Sequence, residues 1–171
     1  LAKQLKKGMG GAQISVLFTI FETMKILMVC LGNICRSPLA HGILEFKAKE
    51  AGLSWEIDSA GTGDWHVGQA PDKRSIAIAK DRGIDISGQR AQFFVPELFA
   101  KFDKILVMDR QNYADVIALA PTPEDVDKVT LFLDNDIVPD PYYDNNMFGP
   151  VFELIEARCE QLIAAWQEEE K

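Results

Sequence analysis

From Met24 onward, short unbroken apolar runs alternate with longer stretches in which apolar residues recur every three or four positions. The runs read as strands buried on both faces, and the wider spacing reads as helix. Lys25–Cys30 (KILMVC) is the first predicted strand. Ser37 is read as the cap of the next element, with Pro38 at its first helical position. Leu39, Ile43, Leu44 and Phe46 form that helix's apolar face, which ends near Gly52. Trp55–Ser59 is a second strand. A helix is predicted over Pro71–Lys80, with Ile76 and Ala79 one step apart, stopping near Gly83. Val95–Phe99 is a short helix or turn. Lys104–Met108 is a third strand, followed by a helix to about Leu119. Pro121–Asp127 reads as a loop, Val129–Leu133 as a fourth strand and Asn135–Gly149 as a long polar loop. Val151–Trp166 closes the chain as a helix with Val151, Leu154, Ile155, Cys159, Leu162 and Ile163 on one face.

Strands alternating with helices predict a mostly parallel sheet covered by helices on both faces. Ligands of such sheets sit at the carboxyl ends of the strands, and Cys30 is at such an end.

Residues 1–23 are different. LAKQLKKGMGGAQ is basic and aperiodic, and ISVLFTIF is a short apolar run. A signal peptide is the weaker reading, because no small-residue cleavage site follows and Met24 opens a strand. Residues 1–23 are therefore expected to be a non-essential extension, with the domain running over 24–171. No segment reaches the roughly 20 apolar residues that span a bilayer.

With 171 residues, the chain fits one domain. A net charge of -8 argues against nucleic acid and anionic membrane as partners. An anionic small substrate would need a local positive pocket. Three cysteines are too few for a disulfide scaffold, which points to a reducing, cytoplasmic setting. Two histidines supply Cys-His zinc sites poorly, so no metal is expected.

The stretch VCLGNICRSP, Val29 to Pro38, supplies such a pocket. Between a strand and a capped helix, Cys30-Leu31-Gly32-Asn33-Ile34-Cys35-Arg36 makes a concave loop. Gly32 permits backbone conformations closed to other residues, and Asn33 tolerates the left-handed region. Successive amides then point inward as a nest, and the helix adds its positive end. Arg36 offers a planar fork to two phosphoryl oxygens. The same field favours the Cys30 thiolate, and Ser37 is placed to donate to its sulfur. A Walker-type loop would need Gly-Lys-Ser/Thr at its end, which is missing. The plainer reading is a buried structural cysteine followed by a turn. The strand before the loop and the Ser-Pro after it favour the functional one.

VCLGNICRSP resembles the signature of the low-molecular-weight protein tyrosine phosphatases. The resemblance runs over about residues 24–167 and includes DSAGTGDWHVGQAPD (Asp58–Asp72), MDRQN (Met108–Asn112) and DPYY (Asp140–Tyr143). It implies an α/β three-layer sandwich with a central four-stranded parallel sheet and a phosphate-binding loop after the first strand. It also implies a phosphocysteine intermediate on Cys30. Arg36 and the amides of Leu31, Gly32, Asn33, Ile34, Cys35 and Arg36 would hold the phosphoryl oxygens. No cofactor is implied.

Displacing a phenol also requires a proton donor. From the residues alone Asp134, Asp136, Asp140 and Asp144 compete, although Pro141 stiffens the chain behind Asp140. The resemblance selects Asp140, as general acid and then base. It also implies that Asn33 organises the loop with support from Ser59, whose plainer role is a turn cap. Trp65, Tyr142 and Leu31, with Tyr143 beside them, would line the cleft mouth. For each aromatic the alternative is packing along a loop. Relatives protect the nucleophile by a disulfide, which here would join Cys30 and Cys35. Cys159 reads as a core residue and His66 as a surface or wall residue. Some relatives carry histidine where DRGID places Arg82.

The implied partners are a phosphotyrosine protein or a small aryl phosphate, with inorganic phosphate as product and inhibitor and a monomer as the working state. Two other readings stand beside this one. An arsenate reductase of the same fold would need a cysteine relay, for which only Cys159 remains. A phosphotyrosine-binding module would have no use for Cys30, Arg36 and Asp140 together.

Overall fold

The computed structural model describes residues 22–170. All but the last two residues of the expected extension lie outside that range.

Four parallel strands form one sheet in the order β2-β1-β3-β4. They are β1 (Lys25–Cys30), β2 (Glu56–Gly61), β3 (Lys104–Val107) and β4 (Val129–Leu131). Among the described residues, six α-helices connect and cover them. These are α1 (Arg36–Glu50), α2 (Lys73–Asp81), α3 (Leu98–Lys101), α4 (Arg110–Ile117), α5 (Pro123–Asp127) and α6 (Phe148–Glu169). The expected three-layer α/β sandwich is the fold observed.

Alternation along β1 divides the core in two. Ile26 and Met28 face a layer built from α1, α2 and α6, including Leu39, Ile43, Ala79, Phe152 and Ile155. Leu27 and Val29 face a second layer containing Phe94, Phe99, Val116 and the β3 residues Ile105 and Val107. Both faces of β1 are therefore dry, which is why its sequence is a continuous apolar run.

The strand order places a switch between β1 and β3. The chain leaving β1 enters α1 on one face, and the chain leaving β3 enters α4 on the other. A crevice opens between the two carboxyl ends, where open α/β sheets bind ligands.

Some local expectations are corrected. Pro121–Asp127 is not all loop: Thr122 caps α5 by accepting from the Asp125 amide, and Pro123 takes the first helical position. Ser37 does not cap α1, which begins one residue earlier at Arg36. Pro38 then sits in the first turn, where its missing N–H costs nothing. Phe46 and Leu154 lie off the buried faces of their helices, while Phe152 is fully buried. α6 also starts earlier than expected, after a 3-10 turn at Asn145–Met147. Among the described residues no helix is long and apolar enough to cross a membrane.

Candidate active site

The loop between β1 and α1 is held from below. Asn33 takes φ 53°, a left-handed conformation that Asn tolerates better than most residues. Its side-chain nitrogen donates to Ser37 Oγ at 2.8 Å and to Ser59 Oγ at 2.9 Å. Its side-chain oxygen accepts from the Gln92 amide at 2.9 Å. One buried side chain thus ties the loop to α1, to β2 and to the segment after α2. Gly61 packs beneath it. A Cβ there would sit 2.8 Å from the Leu31 carbonyl and 3.1 Å from Asn33, so the close approach requires glycine.

Cys30 ends β1 with its sulfur 3.0 Å from Ser37 Oγ. Ser37, released from capping, therefore bridges Cys30 and Asn33. Arg36 is almost fully buried at the head of α1. One of its terminal nitrogens donates to Asp109 Oδ2 at 2.8 Å and to the Val138 carbonyl at 3.1 Å. The other lies 3.7 Å from Asp140 Oδ2. Burial opposes its charge, but Cys30 and the carboxylates Asp109 and Asp140 outweigh burial and hold its pKa above the ordinary value.

Cys30, Leu31, Gly32, Ile34, Cys35 and Arg36 form the floor of a cavity of roughly 310 Å³. Trp65, His66, Asp140, Tyr142 and Tyr143 form its sides. Trp65 is 65% exposed, and its ring lies across Gly63, in space that a Cβ would occupy. His66 backs Gly32 and bonds Gln69 at 3.0 Å. Tyr142 and Tyr143 meet edge to face at 5.0 Å, with Tyr143 the more exposed. All the candidate catalytic and wall residues thus meet at one cavity, with Asn33, Ser37 and Ser59 behind its floor.

Of the competing aspartates, Asp140 alone lines the cavity. Asp134 pairs with Arg158, and Asp144 receives the Asn146 amide at the 3-10 turn. Burial pushes the Cys35 thiol up to about 12, helped by the negative groups Asp72, Cys30 and Asp140. Cys159 is fully buried in the α1–α6 layer.

Asp109, Gln92 and His41 escaped the sequence reading. Asp109 caps α4 through the Asn112 amide while pairing with Arg36. Its motif MDRQN was visible, and an Asp ending a strand before a helix is a cap signal. His41 on α1 lies 3.4 Å from Ser59 Oγ, and burial lowers its pKa despite Glu45 and Asp58.

A cysteine at the end of β1 and a buried arginine at the head of α1 thus border one cavity at the sheet's switch point. Residues 25–171 match the family model described as low molecular weight phosphotyrosine protein phosphatase. The chain belongs to this family. A Synechocystis protein named for the same family is 44% identical over 83% of this chain and 96% of its own. The crystal structure of YfkJ from Bacillus subtilis superposes with a TM-score of 0.81 at 35% identity, covering 87% of this chain and 98% of that one. Vibrio vulnificus Wzb, solved in complex with benzylphosphonate, gives a TM-score of 0.74 at 28% identity, covering 85% and 98%. As a low molecular weight protein tyrosine phosphatase, the protein is an enzyme, and its Cys30 loop follows β1 at the carboxyl edge of the sheet.

Proposed function

We propose that the protein hydrolyses phosphotyrosine in proteins, and small aryl phosphates, through a phosphocysteine intermediate. The observation that carries this reading is the convergence of Cys30, Arg36 and Asp140 on one cavity, with Arg36 lying between the two carboxylates Asp109 and Asp140.

The Cys30 thiolate attacks phosphorus in line. The S–P bond forms as the bond from phosphorus to the phenolic oxygen breaks. Asp140 gives its proton to that oxygen, so phenol leaves rather than phenoxide. Arg36 and the amides of Leu31 to Arg36 bind the equatorial oxygens, which carry charge throughout the transfer. Ser37 holds the sulfur by a hydrogen bond. Asp140, now ionised, takes a proton from water as the water oxygen attacks phosphorus and the S–P bond breaks. Inorganic phosphate leaves and competes for the same loop, so it inhibits. The design requires neither metal nor cofactor, since Arg36 and the amides carry the charge.

Trp65, Leu31, Tyr142 and Tyr143 suit an aryl ring standing on the phosphate. The benzylphosphonate bound by Vibrio Wzb has this shape, an aryl group one atom from a phosphoryl centre. A redox relay of the arsenate-reductase kind is disfavoured by the burial of Cys159 away from the cavity.

The test is phosphate release from matched phosphotyrosine and phosphoserine peptides, with EDTA present, by the parent and by Cys30→Ser. Tyrosine-selective turnover that survives EDTA and disappears in the variant is expected. An active Cys30→Ser protein, or turnover abolished by EDTA, would defeat the thiolate mechanism.

A further inference from the structure

Arg74 stands on the first turn of α2, just outside the cavity lining. Its side chain joins the start of α2 to the stretch 142–148. It grips Asp72 through a fork, with Nε to Oδ1 at 2.9 Å and Nη2 to Oδ2 at 2.8 Å. Nη1 donates to the Tyr142 carbonyl at 3.0 Å and to Asn145 Oδ1 at 2.6 Å. The guanidinium also lies 4.5 Å from the Phe148 ring centre and 5.4 Å from that of Tyr142. The fork holds the Asp72 carboxyl below its ordinary pKa.

One end of this arrangement reaches the Cys30 loop and the other reaches Asp140. The Asp72 amide donates to the Ile34 carbonyl at 2.8 Å, inside the nucleophile loop. The Tyr142 amide donates to Asp140 Oδ1 at 3.1 Å. The Tyr142 residue is therefore held at its carbonyl by Arg74 and holds Asp140 by its N–H.

The segment that carries Asp140 has no helix or strand of its own between β4 and the 3-10 turn. It is fastened before Asp140 at Val138, by the Met108 carbonyl and Arg36. After Asp140 the cross-chain fastening is Arg74 at Tyr142 and Asn145. A proton donor must stay within hydrogen-bond reach of the leaving oxygen, so a loose second end would cost transfer efficiency. Lysine could not substitute. A single ammonium lacks the planar fork that grips a carboxylate on one side and a carbonyl on the other.

We infer that Arg74 is a positioning residue for Asp140, clamping the acid-bearing loop to the nucleophile loop. The inference rests on Asp140 being the general acid, and the experiment separates the two. The measurement is kcat/KM for aryl phosphates of graded leaving-group acidity, from dinitrophenyl to unsubstituted phenyl phosphate. Parent, Asp140→Ala, Arg74→Met and Asn145→Ala are compared, with the inhibition constant of inorganic phosphate for each.

A good leaving group needs little protonation, so an acid defect shows mainly with phenyl phosphate. Arg74→Met is expected to lose about tenfold with phenyl phosphate and under about twofold with the dinitrophenyl ester, a fraction of the 10²–10⁴ that a general acid supplies. Phosphate inhibition stays within about twofold, showing an intact floor. Asn145→Ala, which removes one acceptor from an exposed position, shows the same slope to a smaller degree and decides the matter should Arg74→Met fold poorly. Equal losses across the ester series, or none, in both variants would overturn the clamp. An Asp140→Ala protein with a flat profile would instead overturn the acid assignment itself.

Discussion

Arg36 and Asp109 meet at 2.8 Å, and each stands at the head of a helix. Arg36 is the first residue of α1, and Asp109 is the cap of α4. Two helix N-termini on opposite faces of the sheet are thereby joined through one ion pair at the switch point. Without Asp109 a buried guanidinium would keep only a carbonyl and the more distant Asp140.

Replacing Asp109 separates its two roles. Asp109→Asn keeps an acceptor at the cap but removes the charge that orients Arg36. Its kcat/KM for phosphotyrosine should fall about tenfold or more, given that charged partners of a buried group are worth 1.5–3 kcal/mol. Asp109→Ala should also lower the thermal midpoint further, because it loses a cap worth about 1 kcal/mol. Equal activity in Asp109→Asn and parent would remove the residue from the machinery.

Asn33 combines a backbone requirement with a bonding one. Asn33→Gly satisfies φ 53° but loses the bonds to Ser37, Ser59 and Gln92. Asn33→Ala loses both. The glycine variant should therefore be the more stable of the two in thermal melts, with both showing weakened phosphate inhibition. Full activity in Asn33→Gly would mean that the three bonds do not shape the loop.

The thiol of Cys35, pushed up to about 12, ties stability to alkaline pH. The unfolded chain releases this proton near pH 8.5–9. Between there and about 12 the folded protein still holds it. The unfolded state then binds fewer protons, so stability falls as pH rises through that window. Melts from pH 8 to 11 should show a steeper decline in the parent than in Cys35→Ala. Parallel declines would contradict this. Below pH 8 the raised thiol pKa of Cys35 and of Cys159 should spare both from iodoacetamide, as read by peptide mass mapping.

Gly63 gives Trp65 its resting place. Gly63→Ala puts a methyl group where the indole lies, and the exposed ring can swing away. KM for aryl phosphates should rise about threefold to tenfold, since an aromatic pair contributes ~0.5–1.5 kcal/mol. Inhibition by inorganic phosphate, which does not reach the wall, should stay unchanged. If Gly63→Ala and Trp65→Ala together raise KM no further than Trp65→Ala alone, the effect runs through the ring.

The floor of the site was legible in the sequence because its chemistry is local. Cys30, Asn33, Arg36 and Ser37 fall within eight consecutive positions, bounded by a buried strand and a helix start. Their partners were not, because contact depends on the strand order. Gln92 reaches Asn33 across 59 positions, and Arg74 reaches Tyr142 across 68. Periodicity found the strands and long helices but misjudged Phe46 and Leu154, which sit at the margins of the buried faces. It passed over α5, where Thr-Pro-Glu-Asp carries cap, first-turn proline and acidic residues in order. Ser37 had two readings, and only one of them is the cap that α1 does without. Its expected place beside the Cys30 sulfur is the one the fold uses, with the Asn33 side-chain amide on its other side.

The guanidinium of Arg36 is fixed by groups 73 and 102 positions further along the chain. During synthesis the cysteine and arginine leave the ribosome long before those partners exist. β1 likewise waits for β3 to cover its second edge. The cavity around Cys30 is therefore complete only when residues from 109 to 143 have docked on the loop that follows β1. The part of the chain that carries Cys30 and the part that fixes Arg36 are thus made in sequence and joined only by the finished fold.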